Sequence, residues 1–475
     1  MPYLGNTPAD KYSSYSVQHF TTSATTSYTL DFPVANENEI ELFINNVRQE
    51  PGSSYAYTAS GTSLTLSAAT SASDTMYCVF QGKSTQTVTP ATGSVTNAML
   101  AGSIANSKLA GGIESSKLAF ASYPYRNLII NGDMSIDQRN SGSAVTGISN
   151  TSNYIPDRFQ IRVDGSGSGR MTGQQVTDAP TNFKNSLKIT VTTTDASPTA
   201  SEGYAVRQSI EGQNITQLNF GTANAQSITV SFYVKSSLTG DFSLNIGNGS
   251  SNRWYGALYT INTADTWERK TVTISGDTTG TWSSDNSSGL VLIFGLGGGS
   301  SRTVTPNTWQ TGSGTQTFTT GATNLFATSS ATWQVTGVQL EVGTSASDFE
   351  FLPYDVNLLR CQRYYHQIGY GLNGAGGTVN AGQGQWYNSG EVTLTVYFPT
   401  SMRATPSMTS PTVSNGYRFH KAGSFSDVSD GGSINSPSNM MTGIYKSGLT
   451  GGTGGDASFL AMIASGAAYK FDAEL

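Results

Sequence analysis

The sequence predicts an all-β protein, and three observations carry that prediction. Short runs rich in Thr, Val, Tyr and Phe recur along the chain, broken by turn pairs such as Asn45-Asn46, Pro51-Gly52, Ser60-Gly61 and Ser73-Asp74. β-Branched and aromatic residues suit a pleated strand, while Gly, Asn, Asp and Pro suit a turn. Charged residues make up 12% of the chain, against ~25% in an ordinary domain, and the many Tyr and Phe do not fit a disordered composition. Helix-like runs are few. The 475 residues suggest three or so domains, and the pattern divides the chain into four regions: 1–85, 86–122, 123–356 and 357–475.

Region 1–85 reads as an arm of some 25 residues with little periodicity, followed by a small β-sandwich. Its strand-like runs are Ser27 to Phe32, Glu39 to Asn46, Ser54 to Ala59, Ser63 to Ala68 and Met76 to Gln81. Short strands at regular spacing with turn breaks between them are the signature of such a sandwich. Region 86–122 starts in a polar linker and then repeats every nine residues: VTNAMLAGS, IANSKLAGG, IESSKLAF. Val95, Ile104 and Ile113 hold one apolar position, and Leu100, Leu109 and Leu118 the other. Spacings that alternate between five and four fit neither a helical stripe, nor a coiled coil, nor a half-buried strand. These six side chains have no core within their own chain, so the segment reads as a neck whose core forms between copies.

Region 123–356 carries eight or more strand candidates, among them Arg158 to Val163, Ser186 to Thr194, Ser227 to Ser236, Leu290 to Gly297 and Thr332 to Gly343. That number suits a jelly-roll β-sandwich. Thr229, Ser231 and Tyr233 alternate with Val230, Phe232 and Val234, the pattern of a strand buried on one side. Region 357–475 opens with a helix-like run, Leu358 to Ile368, and resumes β character at Gly390 to Phe398, Ser458 to Ser465 and Tyr469 to Leu475. The glycine-rich stretches Gly371 to Gly390 and Gly448 to Ala457 read as loops of a β tip domain.

The sequence offers little for catalysis or metal binding. Net charge is −6, and Lys and Arg are scattered singly, which argues against a nucleic-acid surface. His19, His366 and His420 stand alone, with no metal-binding spacing. Cys78 and Cys361 belong to no CxxC pair and read as buried thiols. The Gly/Ser string Gly165 to Gly169 is followed by no apolar helix, so it reads as a loop and not as a nucleophile elbow. Asp133 with Asp137, and Glu341 with Asp348 and Glu350, are the carboxylate groups to test as an acid/base pair; structural or calcium-supporting roles are expected for both. The first residues lack a basic and an apolar segment, so no signal peptide is expected. There is no apolar run of about 18 residues, so no membrane insertion is expected. Catalytic residues, cofactors and metals are therefore expected to be none, and the protein is expected not to be an enzyme.

Aromatic residues are the better lead, because sugars stack their apolar C–H faces on rings. Trp254, Tyr255 and Tyr259 cluster, and Trp282 and Trp309 fall in polar stretches. Trp386 and Tyr387 lie inside a glycine-rich stretch whose small polar neighbours do not look like a core strand. Trp386, Tyr387, Trp254 and Tyr255 are the expected receptor contacts, with Trp386 foremost.

Three segments together carry a family resemblance. The run YLGNTPADKYSSYSVQHF through ELFINNVRQEPGSSY is similar to the virion-attachment domain of tail fibres from short-tailed (T7-like) bacteriophages of marine and cyanobacterial hosts. The SKLA repeats resemble the tail repeats of that family. RNLIINGDMSIDQRNSG with YIPDRF, and later VQLEVGTSASDFEFLPYDVNLLRCQRYY, resemble its carbohydrate-binding-type jelly-roll module. The resemblance spans about residues 1–365 and leaves the last ~110 matched only as a β tip. It implies a homotrimeric tail fibre, made in the host cytoplasm and located in the virion. Its N-terminal domain would meet a tail adaptor or nozzle protein, and its β domains a host-surface glycan, such as lipopolysaccharide, or an outer-membrane protein. No catalytic residue of the family maps onto this chain. The rival expectations are a tailspike enzyme that cleaves surface polysaccharide, which lacks its β-helix repeat here, and a structural adaptor that binds no receptor.

Overall fold

The computed structural model describes residues 15–81, 125–149, 152–372 and 377–475. The chain divides into two compact units, Met1–Ala110 and Gly111–Leu475. Nearly all regular secondary structure among the described residues is strand. All six apolar residues of the nine-residue repeat, Val95, Leu100, Ile104, Leu109, Ile113 and Leu118, lie outside the described residues.

In the first unit a four-stranded antiparallel sheet runs in the order Val17–Phe20, Met76–Phe80, Ile40–Ile44, Val47–Arg48. A second layer pairs Ser27–Val34 with Tyr57–Leu66. Alternate residues of both layers meet in one core of Leu30, Leu42, Tyr57, Leu64 and Cys78, and the Cys78 thiol is free. Asn45 and Asn46 take positive φ, 51° and 63°, which lets a two-residue turn match the twist of its flanking strands. Ser60-Gly61 does not end a strand as expected. Gly61 takes φ 56° inside one continuous strand, Tyr57–Leu66, where it shifts the register against Ser27–Val34.

Most of the second unit is a sandwich of two antiparallel sheets. One has six strands in the order Glu268–Ile274, Ile228–Ser236, Thr332–Val342, Ser186–Thr193, Arg170–Val176, Val145–Ile148. The other has seven: Trp309–Thr311, Arg253–Ile261, Gly240–Asn248, Ser288–Gly298, Gly203–Glu211, Gln160–Asp164, Ser152–Tyr154. Val230, Phe232 and Val234 of one sheet meet Leu244, Leu292 and Phe294 of the other in a continuous core. The strand Ile228–Ser236 is buried on both faces, not one: Thr229 is 0% and Ser231 3% exposed. The stretch after Val342 folds back over the outer face, where Thr229 Oγ1 donates to the Gly343 carbonyl (2.8 Å) and Arg269 to the Ser347 carbonyl (2.6 Å).

The helix-like run divides in two. A helix spans Tyr354–Gln362, and the chain re-enters as strand at Tyr365–Gly369, which pairs with Ala468–Asp472. A seven-stranded antiparallel sheet follows, built from β1 (Val379–Asn388), β2 (Glu391–Tyr397), β3 (Tyr417–Lys421), β4 (Ser424–Val428), β5 (Ser433–Asn435), β6 (Met441–Lys446) and β7 (Ala457–Met462). Its spatial order is β4-β3-β7-β1-β2-β6-β5. β1 runs through the stretch expected to be loop.

Ala468–Asp472 pairs with Tyr365–Gly369 and Ser407–Thr409 in a separate three-stranded sheet, and the residues at its end tie that sheet to the sandwich. Buried Arg158 pairs with Glu474 and lies 3.4 Å above the Tyr364 ring. Arg139 pairs with Asp472 (3.0 Å) and Glu474 (3.3 Å), and Arg403 Nε donates to the Ala473 carbonyl (2.7 Å). Charges this deeply buried hold only while each keeps its partner.

Candidate glycan-binding groove

The C-terminal sheet keeps one face inside and leaves the other open. Inward residues form a core of Trp386, Leu394, Val396, Phe419, Ile444 and Leu460. The register lines the outward residues into a single rung: Phe425 opposite His420 on β4 and β3, then Phe459 opposite Gln383 on β7 and β1, then Thr395 opposite Gly443 on β2 and β6. His420 bridges the two halves, stacking on Phe459 with ring centroids 3.8 Å apart and planes 13° from parallel.

A groove of about 1030 Å³ crosses this face. It runs obliquely, from Ala422 and Ala457 at the ends of β3 and β7, past His420, Phe459, Gln383 and Thr395, to Asn380 and Tyr397. Small residues leave it deep: Ala422 and Ala457 have short side chains, and Gly382 and Gly384 contribute only backbone. Tyr397 is 71% exposed, and Phe459 37%. Burial, and then the nearby Arg418 guanidinium, hold His420 below the usual imidazole range, so at neutral pH the ring is an uncharged donor and acceptor. The groove thus offers aromatic side chains at Phe459 and Tyr397, the His420 imidazole beside Phe459, and the Gln383 amide and Thr395 hydroxyl between. That is a set for uncharged hydrogen bonding and stacking, with no acid/base pair among its lining residues.

The expected contacts are distributed otherwise than the sequence suggests. Trp386 is fully buried, not exposed in a loop. Its indole N–H donates to the His420 carbonyl (3.0 Å), and Ser458 Oγ donates to the same oxygen (2.6 Å). Trp386 therefore supports the groove from beneath. The missed signal is period-two: Gly384 and Trp386 alternate with Gln383, Gln385 and Tyr387, and small residues opposite the indole make its room, since a Cβ on Gly452 would lie 2.0 Å from it. Trp254 is also fully buried, packed on Gly247 with its N–H on the Ser251 carbonyl (3.1 Å), and Tyr255 is 8% exposed. Tyr387 alone of the four expected contacts stands in solvent, at 71% exposure. Tyr397 and Phe459 were missed because they sit within ordinary alternating strands, where sequence does not tell the open face from the closed one.

Four of the five carboxylates considered for catalysis accept hydrogen bonds from nearby backbone amides or side chains. Glu350 accepts from the amides of Tyr125 (2.8 Å) and Asn127 (2.9 Å), and Glu341 from the amide (2.8 Å) and hydroxyl (2.6 Å) of Ser347. Asp137 accepts from the Gly142 amide (2.8 Å), and Asp133 from the Ser135 hydroxyl and the Asn357 amide (both 3.1 Å). Among the described residues no group of three or more His, Cys, Asp or Glu can hold a metal ion, and no helix is long and apolar enough to cross a membrane.

No family model matches the chain, and no curated protein does. Solved structures give weak matches. The enzymatically active domain of bacteriophage CBA120 tailspike protein 4 aligns at 12% identity and a TM-score of 0.23, over 49% of this chain and 24% of that one. This chain therefore spans about a quarter of that structure's length. A family 11 carbohydrate-binding module from Clostridium thermocellum, solved with a β-1,3-1,4-mixed-linked tetrasaccharide, aligns at 11% identity and 0.22, over 42% of this chain and 96% of that one. The CBM22-1 xylan-binding domain from Paenibacillus barcinonensis aligns at 12% and 0.20, over 44% and 99%. Likeness at this level carries no functional argument, so the groove is read from its own geometry.

Proposed function

We propose that this chain is a non-enzymatic adhesin that binds a cell-surface glycan in the groove of its C-terminal sheet. The observation that carries the reading is the rung of His420, Phe459, Gln383 and Thr395, with exposed Tyr397 two residues beyond Thr395 on β2. A sugar binds by stacking its apolar face and pairing its hydroxyls, and this row supplies both. Buried ligand surface with a few placed polar groups is the general form of such a site. The sequence resemblance extends the proposal: three copies joined at the nine-residue repeat, the first unit held on a phage tail, and the groove turned to the host.

The test is direct. Tyr397→Ala and Gln383→Ala remove groups from the groove without touching the core, and each should lower binding of the full chain to host envelope polysaccharide several-fold. Binding unchanged in both variants would remove the groove from the function. Release of new reducing ends from the polysaccharide would replace adhesion with the tailspike-enzyme alternative.

A further inference from the structure

We infer that the groove takes an internal stretch of an uncharged polysaccharide chain, laid obliquely across four strands, and not a single terminal sugar or an acidic one. The inference rests on the glycan reading above and makes it more specific.

Length comes from the lattice of the sheet. The groove crosses from β3 through β7 and β1 to β2. Neighbouring strands lie ~4.8 Å apart, and it also shifts by about four residues along them, so its path is roughly 20 Å. A single pyranose ring is much shorter than that. The stacking groups, His420 with Phe459 on one side and Tyr397 on the other, stand roughly 12–16 Å apart along that path, and the amide of Gln383 and hydroxyl of Thr395 lie between. One sugar cannot reach both ends, whereas a chain reaches both and places hydroxyls over the middle.

Charge comes from what surrounds the groove. No carboxylate is among its lining residues. Its one ammonium, Lys421, turns toward the inner side, where Nζ donates to the Thr450 carbonyl (2.5 Å) and lies 5.8 Å from the buried Trp386 ring. The neighbouring guanidinium of Arg418, two residues before His420 on β3, is held by Asp427 in a two-point pair (2.7 and 2.8 Å) and covers the Phe425 ring at 3.7 Å. A uronate or phosphate in the groove would lose water and meet no cation in return, a cost that uncharged hydroxyls avoid. The net charge of −6 adds a repulsive long-range field for a polyanion.

The experiment uses the full chain and size-matched saccharide pairs: galactan against polygalacturonate fragments, and mannan against phosphomannan fragments, each from one to six sugars. Neutral fragments should bind, with affinity rising at least tenfold from one sugar to four and unchanged between 50 and 500 mM salt. The acidic partners should bind at least tenfold more weakly. Tyr397→Ala should flatten the length dependence, because it removes one end of the path, while its folding is checked by circular dichroism. Acidic fragments that bind better, or affinity that falls with salt, overturn the charge inference and leave the groove as a glycan site. A monosaccharide that binds as tightly as a tetrasaccharide overturns the length inference. Failure of every fragment to bind overturns both inferences and the glycan reading with them.

Discussion

At the scale of the residue, burial decides which aromatic matters for what. Trp386 is enclosed, its N–H is spent on the His420 carbonyl, and the groove lies on the other face of its strand. Trp386→Ala should therefore act through the fold. A buried large-to-small change of this size costs ~3–5 kcal/mol, so chemical denaturation should show the C-terminal sheet unfolding at clearly lower denaturant. Tyr397→Ala and Tyr387→Ala, at 71% exposure each, should shift stability by no more than about 0.5 kcal/mol. A Trp386→Ala protein of unchanged stability would refute the buried placement. His366 sets a pH limit on the same region. It is 7% exposed and stacks against Phe471. Its Nδ1 has no hydrogen-bond partner among the described residues. Burial lowers its pKa from 6.5 to about 4. The unfolded chain takes up the proton below 6.5, and the folded one not until about 4. The stabilising contribution is thus complete above pH 6.5 and is lost as pH falls toward 4, by about 3 kcal/mol in total. His366→Leu should remove that slope, so unfolding midpoints measured from pH 7 to 4 should fall less steeply than in the parent chain. An identical slope in both would contradict this assignment.

At the scale of the element, glycine separates what the sequence disclosed from what it concealed. Strands rich in Thr, Val and aromatics declared themselves, as Met76–Phe80 and Thr332–Val342 illustrate. So did the Asn45-Asn46 turn, where two residues that tolerate positive φ are adjacent. β1 was concealed because glycine is the usual mark of a loop, whereas here it is a packing requirement. A Cβ on Gly384 would lie 1.9 Å from the Thr393 carbonyl oxygen on β2. Gly384→Ala should force β1 away from β2 and cost about 2–3 kcal/mol, in the upper range for overpacking. Gly390→Ala is the control, since its Cβ would meet its nearest neighbour at 3.4 Å. Equal unfolding midpoints for the two variants would show that the strands do not approach as closely as described. The groove was illegible for a related reason. Alternation places Thr395 and Tyr397 on one face and Leu394 and Val396 on the other, but only the register across β3, β7, β1 and β2 gathers Tyr397, Phe459 and His420 onto one surface.

At the scale of the whole molecule, the nine-residue repeat and the groove make one joint prediction. A single groove built from neutral hydrogen bonds and two stacking ends has modest affinity, because each polar contact replaces one with water. Three linked grooves facing a polymer bind it with an effective concentration set by their spacing, and avidity gains of 10²–10⁴ follow without any new contact. The apolar positions Val95, Leu100, Ile104, Leu109, Ile113 and Leu118 supply the proposed link. Sedimentation of the full chain should give three times its 50.1 kDa. Deleting 95–118 should give the monomer mass, and binding to immobilised polysaccharide should weaken about a hundredfold. Binding of a soluble oligosaccharide should stay the same, because it occupies one groove at a time. A deletion variant that remains trimeric would move the assembly contacts into the β units and reduce the repeat to a spacer. A monomeric deletion variant that keeps full binding to the immobilised polymer would separate assembly from adhesion altogether.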